Sequence, residues 1–335
     1  MKIKSSPWVE ILKITLGLAV SAGAVYLILA LVDLDGVVAA VREVEYLRLV
    51  PFLLLVLISY GARAASWRTI LPGSLPYGKV FLTMHAGYLI NTLLPFRMGE
   101  IGRALMLKTP ERDFWEIIPT IVLERFFDLS FALALFFSSL PFVFGVKIRG
   151  DLVLLMVSLV GLTFFVMWLV YRRRRTVLSW VEGRGDQGRI RKWIRAKLGA
   201  FLSGLEILSH PGDFFAALGW MALTWALALL SQYLLLRAVV GEARLLWVTF
   251  SLGAVALGAA VPSSPGNLGV YEASLLGALL AFGIDRSQAL TYAILSHALN
   301  IGVTAFFGSL ALIQEGISVR SVWTYRGKSR EEGSQ

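Results

Sequence analysis

The chain contains no cysteine, which excludes disulfides, thiolate metal sites and cysteine nucleophiles. Histidine is almost as scarce: His85, His210 and His297 stand far apart without the paired spacing of a metal cluster. The expectation is a protein with no metal and no other cofactor. Charge is thin as well, at 16% of 335 residues against 57% hydrophobic. With a mean hydropathy of +0.71, that balance does not suit a soluble surface. The net charge of +10 would suit nucleic acid if it were spread out. It is concentrated instead: Arg172, Arg173, Arg174, Arg175, Arg184, Arg189, Arg191, Lys192, Arg195 and Lys197, set against Glu182 and Asp186, supply eight of the ten. Such a block marks one face of a membrane, and no nucleic-acid partner is expected.

A helix crosses a bilayer core of ~30 Å with about 20 mostly apolar residues. Six windows meet this, at 11–32, 49–69, 117–140, 151–171, 214–237 and 288–314, parted by turns such as Pro141 to Asp151 and Pro211-Gly212-Asp213. The first outruns the roughly 7 to 15 residues of a signal-peptide core and is followed by no small-residue cleavage site, so it reads as a retained anchor. Two further apolar regions, 80–107 and 245–283, are broken by Pro95-Phe96-Arg97-Met98-Gly99-Glu100 and by Pro262-Ser263-Ser264-Pro265-Gly266-Asn267-Leu268-Gly269. Neither is one straight helix.

Basic loops stay cytoplasmic, which assigns the 172–197 segment, Lys2 and Lys4, and Arg320, Arg326, Lys328 and Arg330 to that side. Counting crossings then requires region 80–107 to begin and end inside and region 245–283 to begin and end outside. The expected fold is therefore an all-α polytopic protein of the cell membrane. It has six full transmembrane helices and two oppositely oriented re-entrant hairpins, in an inverted repeat of about 10–140 and 150–315. Residues 1–315 form one transmembrane domain with a cytoplasmic basic loop at 172–210, and 316–335 a cytoplasmic hydrophilic tail. A ten-span version, with every hairpin limb crossing, keeps the ends inside but moves the tips; counting alone does not separate the two.

Broken backbone and charge at membrane depth must face protein or water. Around the first break lie Asn91, Arg97, Glu100 and Arg103, the last two on one helical face. In the third window Glu124 and Asp128 share a face, with Arg125 turned about 100° away. They are either buried functional charges or solvated at a cytoplasmic helix end, and Arg63 and Arg68 either extend an anion site or snorkel. In the second break Pro265, Gly266 and Gly269 permit a tight reversal. A helix starting near Asn267 or Leu268 would offer free N–H groups to a phosphate, with Glu272 on its first turns and Asn267 as cap or ligand. His297 and Asn300 are placed to pair with either hairpin. The 172–200 segment, with Trp180, Ile190, Trp193, Ile194, Leu198 and Phe201 among its cations, is expected on anionic lipids of the inner leaflet.

The runs NTLLPFRMGEIGRALMLK (91–108), VLERFFDL (122–129) and VPSSPGNLGVYEASLLGAL (261–279), in that order, resemble the membrane region of the lysylphosphatidylglycerol synthase and flippase-like family; Arg63, Trp67 and Arg68 resemble its arginine-bearing second span. The resemblance implies a lipid flippase fold that in bifunctional members accompanies a soluble aminoacyl-lipid synthase domain. The tail ending RGKSREEGSQ leaves no room for such a domain, so synthase activity is not expected. Ser296 and His297 stand where many members are expected to carry an arginine; His297 in place of that fixed cation would make the charge of the site pH-sensitive or change the substrate preference.

The expected function is non-enzymatic transport of a phospholipid or polyprenyl-phosphate-type lipid between leaflets. Arg97, Arg103, Arg125 and the 266–269 helix end are the candidate phosphate partners. Glu100, Glu124, Asp128 and Glu272 act as counter-charges or proton carriers. Two alternatives stand beside it: a membrane enzyme on lipid phosphates with Glu124 and Asp128 as acid and base, and an accessory scaffold of a lipid-linked glycan pathway.

Overall fold

A computed structural model of the chain describes residues 15, 19, 21–30, 32–94, 97–145, 150–182, 189–259 and 264–316. Lys2, Lys4, Pro95, Phe96, Arg184, Asp186, Pro262, Ser263 and the tail beyond 316 lie outside them, as do the side chains of Trp180 and Ile190. Among the described residues every regular element is helical, apart from an isolated bridge between Thr109 and Arg112.

Helix α1 (Ser21–Ala30) covers the described part of the first window and turns by 86° into the amphipathic α2 (Leu34–Glu43). There the Asp33 carboxylate caps the N–H groups of Asp35 and Gly36. Helix α3 (Leu49–Ile70) follows a 3-10 turn, then α4 (Tyr77–Leu93) and α5 (Met98–Leu107) flank the first break. Next come α6 (Phe114–Phe144), α7 (Gly150–Arg172), α8 (Arg174–Glu182), α9 (Arg189–Ser203) and α10 (Pro211–Val240). Helices α11 (Leu245–Gly258) and α12 (Val270–Leu280) flank the second break, and α13 (Arg286–Gln314) ends the set, its Asp285 cap accepting from Ser287 and Gln288. Among the described residues four helices are long and apolar enough to cross a membrane: α3 with its preceding turn, α6, α10 and α13.

Two expectations shift. Pro141 does not end its helix; α6 runs through it to Gly145, whose φ of +62° closes the element. The basic loop is not a loop but two helices, α8 and α9, followed by a 3-10 turn at Glu206–Ser209.

The packing of the two halves is reciprocal. Helix α3 lies along α10, α4 along α13 and α11 along α6. Helix α5 packs on α4 and α6 as α12 does on α11 and α13, and α2 packs on α13 as α9 does on α6. Polar contacts gather the helix ends: Lys79 meets Glu315 at 3.4 Å, Arg112 Nε donates to the Pro72 carbonyl at 3.1 Å, and Lys197 meets Asp113 at 2.6 Å. At the opposite end Gly36 lies against Ser287, and Phe144 meets Phe250 edge to face.

Burial is inverted relative to a soluble protein. Arg103 and Glu124 have no exposed surface, while Phe142 is 74% exposed, Phe306 67% and Ile313 77%. A surface of that kind is at home in hydrocarbon.

Candidate functional site

The first hairpin closes because two glycines meet. Gly87 of α4 faces Gly99 of α5 so closely that a Cβ on Gly99 would fall on the Gly87 carbonyl. Asn91 Oδ1 accepts the Gly99 N–H at 2.7 Å, so Asn91, a candidate ligand by sequence, spends its oxygen on the hairpin itself. The break places Arg97 in the left-handed region (φ 52°, ψ 41°), which is unusual outside glycine and asparagine.

That turn sends α5 across α3 and α6, and six charged side chains close a ring. Arg63 binds Glu124 at 3.0 Å and also Asp128. Glu124 binds Arg103 at 2.5 Å, Arg103 binds Glu100 at 3.4 Å, Glu100 binds Arg125 at 2.5 Å, and Arg125 returns to Asp128 at 3.2 Å. Three guanidiniums and three carboxylates cancel, which is how so many charges are tolerated away from water. Arg125, turned away from the carboxylate face by helical geometry, still joins the ring because an i, i+3 pair reaches Asp128 and Glu100 arrives from α5.

The ring is buried to different depths. Arg103 and Glu124 are fully enclosed, with the Arg103 guanidinium 3.8 Å from the centre of the Trp67 ring, whose Nε1–H is held by Thr120 at 3.1 Å. The Arg125 side chain keeps 33% of its surface, and its Nε has no hydrogen-bond partner. Glu124 therefore faces protein and not a headgroup belt. Arg68 lies outside the ring, donating to the Leu75 carbonyl at 2.8 Å.

Arg97 is not in the ring, although sequence grouped it with Glu100 and Arg103. It reaches the second break and donates to the Ala259 carbonyl at 2.6 Å, with no carboxylate in ion-pair range among the described residues. Gly266 (φ 70°) in turn lies against Thr92 of the first hairpin. The tips of the two hairpins thus touch.

In the second break, Pro265 opens a 3-10 turn closed by Asn267 (φ 55°) donating its N–H to the Ser264 carbonyl at 3.0 Å. Helix α12 starts later than expected, at Val270, with Gly269 (φ 81°) and not Asn267 as its cap. Its N-terminus is already served: Glu272 Oε2 accepts the Gly269 N–H at 2.7 Å. The other carboxylate oxygen lies 2.6 Å from His297 Nδ1, and the His297 imidazole stacks on Tyr271 at 4.1 Å. Tyr271 joins Ser296, which with Tyr292 is bonded to Gln232 of α10; Asn300 accepts from Tyr60 of α3. Sequence reading missed Gln232, Tyr271 and Tyr60. An amide inside the apolar run of α10 was a usable signal for the first, whereas tyrosines are common in membrane helices and gave none.

A chain whose long helices turn apolar side chains outward and close a ring of ion pairs within is a multi-pass helical membrane protein. It belongs to the family of the lysylphosphatidylglycerol synthase transmembrane region, the match running over residues 14–308. A UPF0104 membrane protein of Methanocaldococcus jannaschii is 25% identical over 223 residues, covering 66% of this chain and 92% of that one. No solved structure matches the chain.

Proposed function

We propose that this chain is a flippase that carries the charged headgroup of a phospholipid or polyprenyl-phosphate-type lipid between leaflets while the acyl or prenyl chains stay in the bilayer. The observation that carries the reading is the meeting of the two hairpin tips, Arg97 of one on the Ala259 carbonyl of the other. Tips of hairpins that crossed fully in opposite senses would lie on opposite faces, ~30 Å apart. Limbs α5 and α12, of 10 and 11 residues, extend only about 15 to 17 Å. Both facts favour hairpins that enter from opposite sides and end near mid-membrane. The reciprocal helix packing supports an inverted repeat, and the crossings then count six full spans with both termini in the cytoplasm of a plasma-membrane protein. Exposed Arg172 to Arg175, from the end of α7 into α8, and Trp193 on α9 suit the anionic inner leaflet.

At the junction, Arg97 is charged but bonded, among the described residues, only to a neutral carbonyl. A phosphate oxygen in its place would bring the opposite charge and turn a bond to a neutral acceptor into an ion pair, and Arg125 lies on the accessible edge of the ring behind it. Arg103 is too enclosed to touch a headgroup in this state; its role is to hold Glu100 and Glu124. Burying a phosphate without such partners would be prohibitive.

The test is mass spectrometry of lipids retained on protein purified in mild detergent, paired with translocation of a labelled lipid in liposomes. Wild type should enrich one anionic or aminoacylated lipid and move it. Arg97→Ala and Glu100→Ala should stay folded and lose both. Identical lipids and rates on wild type and Arg97→Ala would remove the hairpin junction from the mechanism.

A further inference from the structure

Among the described residues, the charges of the ring and of the two breaks balance. The ring is neutral, and outside it the exposed Arg97 of the first break and Glu272 of the second carry one charge of each sign while His297 is uncharged. An anionic phosphodiester headgroup entering at Arg97 adds one negative charge to a region that tolerates none uncompensated. One side chain there can accept a proton and already has a carboxylate and an aromatic face in contact: His297. We propose, building on the flippase reading above, that the Glu272–His297 pair is a proton-binding site linked to the headgroup, taking up one proton for each anionic lipid bound.

The proton balance is explicit. The carboxylate at 2.6 Å keeps a hydrogen on His297 Nδ1 in both states, so the incoming proton goes to Nε2. The pair passes from one net negative charge to none, the phosphodiester supplies one negative charge, and the interior returns to neutrality. Both leave together on the far side. Glu272 stays ionised throughout, because its second oxygen is held by the Gly269 N–H. The imidazolium is held by that carboxylate and by the stacked Tyr271 ring.

Among the described residues, the charges that act on these surroundings are those of the ring, with Arg63 of α3 reaching Tyr60 and Tyr88, and they are paired with one another. Helix α12 contributes Tyr271, α13 Tyr292 and Ser296, α10 Gln232 and α3 Tyr60. Helix α4 contributes Tyr88 and His85; the latter is bonded to the Phe81 carbonyl at 2.8 Å among aromatic rings, without a carboxylate partner. Helix α11 and the described part of α1 carry no acidic or basic side chain. The charged residues of α2 belong to the far end of α13, where Gly36 meets Ser287.

The experiment is proton uptake by the full chain in mild detergent and weak buffer at about pH 7.5. A soluble indicator dye reads the pH as short-chain phosphatidylglycerol is added, with short-chain phosphatidylcholine as the zwitterionic control. Wild type should take up close to one proton per protein with the anionic lipid and none with the control. His297→Gln should take up none. Glu272→Gln keeps an acceptor for Gly269 but removes the charge, and should take up none either; it stands in if the histidine variant does not fold. No uptake by wild type, or equal uptake by the variants, overturns the proposal. Uptake by wild type without lipid movement in liposomes would retain the proton site and discard the flippase.

Discussion

Within the ring, each carboxylate serves two guanidiniums, so the loss of one takes a partner from both and leaves the ring with one net positive charge. Glu124 is the most demanding position, since it is fully buried and holds both Arg63 and Arg103. Glu124→Ala should lower stability by about 3 to 5 kcal/mol, the usual penalty for breaking a buried ion pair from one side. A thermal melt in detergent should show it as a large fall in the transition temperature. Arg125→Gln removes a partly exposed member and should lower lipid retention more than thermal stability. An equal thermal loss in the two variants would mean that the ring is a uniform structural clamp.

Among the helices, the first hairpin depends on the Gly87 to Gly99 crossing. Gly99→Val places a branched side chain on the opposing backbone, and overpacking of that kind costs at least about 1 to 3 kcal/mol. The expected outcome is a protein that expresses poorly or loses the Asn91 to Gly99 closure; full stability and lipid retention would count against the tight crossing. The docking of α9 on α6 has a pH signature. Burial pushes the Asp113 carboxyl up, but the Lys197 ammonium and the N–H groups of Trp115 and Phe114 outweigh it and hold the carboxyl below the usual aspartate range. A carboxyl depressed on folding contributes stability that is fully present above its unfolded pKa, near 4, and is lost as pH falls through the lower folded value. Hydrogen exchange in α9 should therefore quicken only in strong acid, and Asp113→Asn should show the faster exchange already at neutral pH.

For the molecule as a whole, the absence of cysteine makes topology directly measurable. Single cysteines at exposed Arg175 and Glu242 should react with an impermeant thiol reagent from opposite sides of a sealed vesicle. Positions Lys79 and Glu315, which meet in space, should label from the Arg175 side. Labelling of Arg175 and Glu242 from the same face would dismantle the inverted repeat and with it the mid-membrane meeting of the tips.

Hydropathy, proline and glycine act over a few residues and charge bias over a loop, so the membrane class, four of the six apolar windows, both breaks and the identities of the charged residues were legible along the chain. Even the i, i+4 relation of Glu124 and Asp128 followed from helical period alone. Which charges meet was not legible, because it depends on how α3, α5 and α6 cross. Arg97 and Arg103 read alike in sequence, yet one is sealed under Trp67 and the other spans to a carbonyl 162 residues away. Glu272 and His297 likewise belong to different helices, 25 residues apart. Only the packing of those helices decided that they share a hydrogen bond, since electrostatic pairing at 2.6 Å is a property of tertiary distance and not of sequence spacing.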